Sequence, residues 1–268
     1  MSGKIGFIGG GSMAEGIIRG LLAAGTWKAE EILLKEILPQ RKEYLKEQYQ
    51  IELIDDLREL AAKADILVLA VRPQNAQSVS EELSAVIQEK TLLVSICAGI
   101  QIGKLSGWIG SRIHFARIMP NTLIETGKGY SALAFSANVT EKEQLEAQKI
   151  TNAIGETLII SEQHFDAFTA LGCAGPEWVL LFAAALIDAG VESGLSREDA
   201  KKIVVQNLIG TGLLLESTPK HIYEITDGMN TPGGIGIAGF HSFAQAGLHG
   251  IVMDAVASAH RRTTELGE

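Results

Sequence analysis

The sequence predicts an α/β fold in which an N-terminal domain with a doubly wound, mostly parallel sheet is followed by an all-helical domain. Three observations favour this fold. The chain opens with a short apolar strand, a glycine turn and a helix, further short strands alternate with helices to about residue 160, and the sequence beyond Ser161 reads as almost entirely helical. Alternating strands and helices are typical of a parallel sheet covered by helices. We expect the two domains to span residues 1–161 and 162–268.

The first element is a strand over residues 5–8 that runs into Gly9-x-Gly11-x-x-Ala14 at the start of a helix. In a dinucleotide-binding turn, Gly9 permits the tight turn, Gly11 lets the backbone approach a pyrophosphate, and Ala14 lets the helix pack on the strand. The helix N-terminus adds free N–H groups and a positive dipole end. An ordinary tight turn is the alternative. The predicted cofactor contacts here are Gly9, Gly11, Ser12 and Met13.

A second strand, over residues 31–36, ends on Glu36, which follows Ala14 by 22 positions. In a dinucleotide-binding fold, a carboxylate at this place accepts hydrogen bonds from the adenosine ribose hydroxyls. Glu36 is therefore a candidate for recognition of NAD, and a solvated loop glutamate is the alternative.

Further strands are predicted at residues 65–71, 92–96, 113–118, 130–135 and 157–160. The segment 65–71 is apolar on both faces, which is typical of a buried parallel strand. Ligands bind outside the carboxyl ends of such strands, and these ends carry glycine, proline and polar residues. The predicted cofactor contacts at the strand ends are Ala70, Val71, Pro73, Ala98, Gly99 and Asn121.

The second domain contains an apolar helix, predicted over residues 177–192, whose composition requires burial in a core or between subunits. Pro176 suits its first turn, where a missing N–H group does no harm. Other helices are predicted at residues 197–215, 220–226 and 237–266. Because a small helical domain would leave the apolar helix partly uncovered, we expect two chains to intertwine their C-terminal helices as a homodimer.

Composition narrows the classes of partner. The chain has 268 residues, of which 46% are apolar, and a net charge of −9. It therefore has ample core material and no basic cluster to neutralise nucleic-acid phosphates. The two cysteines and six histidines lack metal-site spacing, and the longest apolar run, residues 179–187, is too short to cross a bilayer. With no signal peptide before the first strand, we expect a cytoplasmic protein without metal, nucleic-acid or membrane partners.

Seven stretches occur in a specific order along the chain, at residues 5–15, 70–74, 95–100, 117–122, 188–195, 231–234 and 262–266. In this order they resemble the pyrroline-5-carboxylate reductase family over essentially the whole length. The resemblance implies a Rossmann domain followed by a helical dimerisation domain. It also implies the last step of proline biosynthesis, the reduction of 1-pyrroline-5-carboxylate to L-proline with NADH or NADPH. Some family members assemble further, as rings of dimers.

The resemblance also assigns roles to residues. The loop at 231–236 would hold the substrate carboxylate, a task suited to a loop rich in backbone N–H groups. Asn121, Ala98 and Gly99 would lie on the nicotinamide side, while residues 70–73 would line the dinucleotide. The predicted catalytic set is Glu177, Gly233, Gly234, Ile235 and Gly236.

The chain departs from the family near the substrate. The usual Ser-Pro-Gly-Gly-Thr-Thr loop ends here in Ile235 and Gly236, so a hydroxyl that would orient the imine is missing. The usual Ser-Gly-Ser-Gly-Pro-Ala-Tyr reads GCAGPEW at residues 172–178, which introduces Glu177 and Trp178. Neutral drift in a proline-pathway enzyme is one interpretation. The other is an altered substrate, with Glu177 pairing with a cation or donating a proton.

The adenosine end favours NADH. NADP-using members commonly carry a Ser/Asn-Arg pair after the second strand, whereas the aligned positions here read Lys35, Glu36 and Ile37. Glu36 would repel a 2′-phosphate, although Lys35 or Arg41 could still support NADPH. Two other functions remain open: a reductase of another cyclic imine or imino acid, and a dinucleotide-binding paralogue without turnover.

Overall fold

The computed structural model describes residues 3–267, with side chains described to residue 265. The chain divides into two compact units. One contains the chain up to Cys173 together with the segment from His260, and the other is Ala174–Ala259. The predicted domain boundary at residues 161 and 162 stays a prediction.

The first unit is built on one eight-stranded sheet. Its strands are β1 (Ile5–Ile8), β2 (Ile32–Lys35), β3 (Glu52–Leu53), β4 (Ile66–Leu69), β5 (Leu92–Ser95), β6 (His114–Pro120), β7 (Gly129–Phe135) and β8 (Gly155–Ile159). Their order across the sheet is β3-β2-β1-β4-β5-β6-β7-β8. The first six strands are parallel, whereas β7 pairs antiparallel with β6 and parallel with β8. The predicted doubly wound, mostly parallel sheet is thus confirmed. The two-residue β3 was not predicted, because its sequence is too short to show a periodic pattern.

The central strands are buried on both faces. In β4, Val68 belongs to one apolar cluster with Ile17, and the neighbouring Leu67 belongs to a second cluster with Leu60. Successive residues of a strand point to opposite faces, so an all-apolar strand needs helices on both sides. Each such side chain stabilises the unit by about 1.5–3 kcal/mol on burial.

Among the described residues, seven α-helices lie wholly within this unit, which also includes the end of the last helix of the chain. The seven are α1 (Ser12–Ala23), α2 (Pro39–Tyr49), α3 (Leu57–Lys63), α4 (Pro73–Ser84), α5 (Ile102–Ile109), α6 (Glu141–Asn152) and α7 (Phe165–Phe168). The start of α6 is fixed as predicted by Thr140, whose hydroxyl accepts from the Glu143 N–H while the Glu143 carboxylate accepts from the Thr140 N–H. This reciprocal capping box satisfies two N–H groups that the helix itself leaves free.

The second unit is helical. Its elements are α8 (Gly175–Glu192), α9 (Arg197–Ser217), α10 (Ile222–Met229), α11 (Ile235–Gln245) and most of α12 (Leu248–Gly267). The prediction of a single last helix over residues 237–266 is wrong, because the helix is interrupted at Gly247, between α11 and α12. This residue has φ +71°, a left-handed conformation that ends a helix and favours glycine.

A helical stretch at Glu162–Glu192 is long and apolar enough to cross a membrane, and an 18-residue window within it has a mean hydropathy of 1.7. Length and composition are weak evidence, because core helices of soluble proteins meet the same criterion. The apolar run considered in the sequence, 179–187, is only part of this stretch, so the absence of a membrane partner stays a prediction.

Candidate active site

The candidate cofactor site lies at the carboxyl edge of the sheet, between the ends of β1 and β4. From β1 the chain continues to β2 on one side of this point, and from β4 it continues to β5 on the other side. Backbone hydrogen bonds tie the strand ends together: Gly9 N–H donates to Lys35 O (2.9 Å), and Ala70 N–H donates to Ile8 O (2.9 Å). At the next strand of the sheet, the N–H of Ile96, directly after β5, donates to Leu69 O (3.1 Å). The glycine turn and the ends of β2, β4 and β5 therefore share one edge, at the switch point where doubly wound sheets bind ligands.

The glycine turn has two kinds of glycine. Gly9 has φ +101°, and a Cβ there would lie 2.5 Å from the Ala70 carbonyl oxygen, so only glycine fits. Gly11 has φ −63°, and a Cβ there would meet nothing within 4 Å. Gly11 also begins α1, and no side chain in the described chain caps that helix. An open glycine followed by uncapped N–H groups fits the pyrophosphate of a dinucleotide, which supports the predicted contacts of Gly11, Ser12 and Met13.

Glu36 is half-buried and fixed against this turn, in contrast to a freely solvated loop residue. One of its carboxylate oxygens, Oε2, accepts from Gly10 N–H at 2.7 Å. The other, Oε1, accepts from Ile37 N–H (2.7 Å) and Leu38 N–H (2.9 Å). The carboxylate thus stands beside the glycine turn, where an adenosine ribose would be expected.

The strand ends on the other side of the switch point carry the predicted nicotinamide contacts. Ala98 is exposed, and Gly99 follows with φ +74°. The preceding Cys97 is buried, and its thiol donates to Val71 O at 3.3 Å. Burial raises the pKa of Cys97, against the opposing effect of its hydrogen bonds with Ser95 and Val71. Cys97 therefore links the ends of β4 and β5 as a neutral thiol.

The Asn121 side chain is only 4% exposed, and both its amide nitrogen and its amide oxygen form hydrogen bonds within the protein. Its amide nitrogen donates to Gly172 O at 3.0 Å, and its amide oxygen accepts from Leu123 N–H and Tyr130 N–H, both at 3.2 Å. The side chain thus joins the end of β6 to Gly172, where the chain begins to depart from the family pattern.

Cys173 lies next to the same strand end, with its thiol 3.6 Å from Pro120 O. Burial raises the pKa of Cys173 to about 11. The thiol is therefore protonated at neutral pH, which argues against a nucleophilic role.

One residue pair near this edge was missed from the sequence. Arg117, on β6, is 2% exposed, and its guanidinium pairs with Glu162 at 3.0 Å and stacks over the Phe165 ring at 4.5 Å. The same Glu162 oxygen accepts from the Ile102 N–H at 2.8 Å. Arg117 Nε has no acceptor within residues 3–267. A lone arginine in an apolar strand was the available signal, since buried arginines are almost always paired.

The predicted substrate loop belongs to the second unit. Gly234 N–H donates to Thr231 O at 2.9 Å, and Gly233 has φ +69°, which fits a tight turn with Pro232 and Gly233 at its centre. Gly234 begins α11, and no described side chain caps that helix either. Ile235 is 96% exposed. Glu177 lies in the first turn of α8 and is also exposed, so its own unit does not bury it.

Two family models match the chain. Residues 162–266 match one described as pyrroline-5-carboxylate reductase dimerisation, and residues 4–99 match one described as NADP oxidoreductase coenzyme F420-dependent. A pyrroline-5-carboxylate reductase of Synechocystis sp. is 35% identical over 268 residues, which is all of both chains. This chain belongs to the pyrroline-5-carboxylate reductase family. A relative of the same name from Arabidopsis thaliana is 32% identical over 99% of this chain and 96% of its own.

Solved structures of the family have the same fold. A pyrroline-5-carboxylate reductase from Coxiella burnetii superposes with a TM-score of 0.92 over all of both chains at 27% identity. A Plasmodium falciparum pyrroline carboxylate reductase, solved with NADP bound, gives a TM-score of 0.88 at 31% identity over 99% of this chain and 98% of its own. The predicted architecture, a Rossmann domain followed by a dimerisation domain, is therefore confirmed.

Proposed function

We propose that this chain reduces 1-pyrroline-5-carboxylate to L-proline with NADH or NADPH, the last step of proline biosynthesis. The main support is the full-length match to pyrroline-5-carboxylate reductases. The glycine turn adds physical support. A Cβ at Gly9 would lie 2.5 Å from the Ala70 carbonyl oxygen, whereas one at Gly11 would meet nothing within 4 Å, which leaves room for a pyrophosphate.

The first unit would bind and orient the cofactor, which when bound supplies the hydride. The uncapped N–H groups at the start of α1 would hold the pyrophosphate, and Glu36 would accept hydrogen bonds from the ribose hydroxyls. Ala70, Val71 and Pro73 would line the dinucleotide, and Ala98, Gly99 and Asn121 would flank the nicotinamide. The protein's part is orientation, because hydride transfer needs near-attack distance.

The second unit would bind the substrate carboxylate. The Gly234 N–H is already used in the turn, where it donates to Thr231 O. The backbone N–H groups of Ile235 and Gly236 lie at the start of α11, where no described side chain caps the helix, and they would donate to the carboxylate. They would fix the imine without placing a cationic side chain beside it.

A homodimer fits the surface of the second unit. Leu180 and Leu181 on α8 are 68% and 71% exposed, and Phe182 packs against Phe243 with ring centroids 6.0 Å apart while remaining 41% exposed. Large exposed apolar surfaces mark interaction sites, and the dimerisation model covers these residues. We further propose residues 162–268 as the dimerisation and substrate domain, a cytoplasmic location, and rings of dimers as a possible larger assembly.

A second candidate is the reduction of a different cyclic imine. The observation that favours it is Ile235, which is 96% exposed at a loop position where the family carries a hydroxyl. Glu177, on α8, adds a carboxylate at a position where the family carries alanine. A substrate with a different ring or an extra cationic group would use these changes.

The test is an NADH- and NADPH-oxidation assay on the purified full chain with a panel of cyclic imines, five- and six-membered, with and without a carboxylate. Fastest turnover of 1-pyrroline-5-carboxylate, unaffected by Glu177→Ala, supports the proline enzyme. Faster turnover of another imine, lost in Glu177→Ala, supports the second candidate. Dinucleotide binding with no turnover of any imine would contradict both and favour a non-catalytic paralogue.

We also propose a preference for NADH, because Glu36 lies where a 2′-phosphate would be repelled. The expected result is a lower KM for NADH than for NADPH, with the difference reduced in Glu36→Ala. A lower KM for NADPH in the native chain would show the preference to be wrong.

A further inference from the structure

Three cationic side chains lie at the end of β2 or shortly after it, on the side of the glycine turn where the adenosine is expected: Lys35, Arg41 and Lys42. Each of them already forms a hydrogen bond or an ion pair with another group of the protein. The Lys35 ammonium donates to the backbone carbonyl of Asp55, and the Lys42 ammonium pairs with the Asp55 carboxylate. The sequence offered Lys35 and Arg41 as cations that could attract a 2′-phosphate, and the structure shows both already engaged.

Of these three cations, Arg41 is the one that forms a hydrogen bond with the glycine turn itself. Its Nε donates to Gly10 O at 2.6 Å, while the N–H of the same Gly10 is bound by Glu36 at 2.7 Å. The Arg41 guanidinium and the Glu36 carboxylate thus contact the same glycine. A cation here is in place to meet a 2′-phosphate if its guanidinium is free to turn.

The guanidinium is held by Glu15, in the first turn of α1. Arg41 Nη2 pairs with one oxygen of Glu15, and the other oxygen accepts from the hydroxyls of Tyr44 (3.0 Å) and Tyr49 (2.8 Å). The guanidinium also lies 5.2 Å from the centroid of the Tyr44 ring. Side-chain exposure is only 16% for Glu15 and 26% for Arg41, so solvent competes weakly for this pair.

We propose that Glu15 is a second specificity residue of the cofactor site, which holds Arg41 against α1 and so withholds it from a 2′-phosphate. Discrimination would then use two carboxylates: Glu36 repels the phosphate directly, and Glu15 neutralises and immobilises the cation that would otherwise attract it. This inference rests on the proposed function in one respect, namely that the glycine turn binds NAD(P)H.

Protonation states support the arrangement. Burial alone would raise the pKa of Glu15, but hydrogen bonds from Arg41, Tyr49 and Tyr44 outweigh it and lower the pKa below its ordinary value. Burial and the hydrogen bond to Glu15 raise the pKa of Tyr49 to about 12. At neutral pH the carboxylate is therefore ionised and Tyr49 remains a donor. Charge-assisted hydrogen bonds of this kind are the strong ones.

The experiment is calorimetric titration of the full chain with adenosine 2′,5′-bisphosphate, ADP, NADPH and NADH, which needs no substrate. In Glu15→Gln we expect the two 2′-phosphorylated ligands to bind about tenfold more tightly, the size of one charge-assisted hydrogen bond gained, with ADP and NADH little changed. Adding Arg41→Ala should abolish the gain. Glu43→Gln is the matched control, since it removes an exposed carboxylate from α2 without touching Arg41, and it should not alter selectivity.

Three results would overturn the inference. The first is unchanged selectivity in Glu15→Gln while both dinucleotides still bind. The second is a loss of about tenfold or more in native NADPH affinity on Arg41→Ala, because Arg41 would then already contact the phosphate. This second variant decides the matter if Glu15→Gln does not fold. The third is no binding of any of the four ligands by the native chain, which would also refute the proposed function.

Discussion

The two units of this chain bury their apolar residues to very different extents. In the first unit, every residue of β1, β4 and β5 is buried, and two apolar clusters fill both faces of the sheet. In Ala174–Ala259, which the structure describes completely, only Ala183, Ala200 and Val204 are buried. Burial of apolar surface is the dominant favourable term in folding. The first unit therefore has its own core, and the exposed apolar residues of the second fit the proposed packing against another copy of the chain.

Their glycine loops differ in the same way. Gly9 is confined by the Ala70 carbonyl and Gly10 by Glu36 and Leu45, all within the same unit. In the other loop, a Cβ at Gly233 would meet nothing within 4 Å, one at Gly234 would meet Thr231 of the loop itself, and Ile235 is almost fully exposed. The first loop is thus packed against residues of neighbouring elements, whereas the close contacts of the second loop lie within the loop.

The difference in apolar burial between the two units is tested most strongly by replacing one exposed leucine in each unit with glutamate. Leu181→Glu on α8 should convert the proposed dimer to monomer, because an unpaired charge buried in an apolar interface costs several kcal/mol. Size-exclusion chromatography with light scattering measures the mass. Leu145→Glu is the matched control, since Leu145 on α6 of the first unit is 59% exposed against 71% for Leu181. An unchanged mass for both variants would show that the α8 face is not an interface.

A second prediction concerns the core of the first unit. Glu162→Ala leaves the Arg117 guanidinium buried and unpaired, so the free energy of unfolding should fall by about 3–5 kcal/mol. Urea denaturation measures the loss. Replacing Arg117 by Met in the same variant should recover most of it, since no buried charge is then left. If both variants lose the same amount, the ion pair is not the source of the effect.

The glycine turn gives a third, smaller effect. Gly9→Ala should destabilise the unit by about 1–3 kcal/mol through backbone strain, and the clash of its Cβ with the Ala70 carbonyl oxygen should add to this. It should also abolish NADH binding. Gly11→Ala should leave the thermal midpoint unchanged, because its new methyl group meets no protein atom within 4 Å. It should weaken the binding of NADH, because that methyl group occupies the space where the pyrophosphate is expected. Equal thermal midpoints for the two variants would contradict the division into a confined and an open glycine.

The smallest effect is on the acid side of the stability profile. The folded-state pKa of Glu15 lies below its ordinary value of 4.5, so its stabilising contribution is present above about pH 4.5 and is lost as the pH falls through the lower folded value. Glu15→Gln should therefore lower stability at pH 7 and make the decline below pH 4.5 shallower. Thermal melts between pH 3 and pH 7 measure this, and parallel profiles for the two proteins would contradict it.

Local sequence patterns were enough for most of the first unit. The strands β1, β2, β4, β5 and β6 were located within about two residues, and the Thr140 cap of α6 was predicted from the capping signal itself. The break at Gly247 was missed, since a glycine inside an apolar helical pattern is compatible with a continuous helix until its φ is known. The roles of Asn121 and Arg117 were also out of reach, because their partners at Gly172 and Glu162 lie 51 and 45 positions away.

The family, the Rossmann fold and the place of the glycine turn could all be predicted from the amino-acid sequence, because each follows from local spacing and from the order of motifs along the chain. The pairing of the charges at that turn could not, because it depends on residues that are distant in the sequence. Glu15 and Arg41 are 26 positions apart in the sequence, and Glu36 reaches Gly10 across the same interval. Such pairs form only after the sheet has brought the ends of β1 and β2 together, so no local pattern can predict which cation a phosphate would find free.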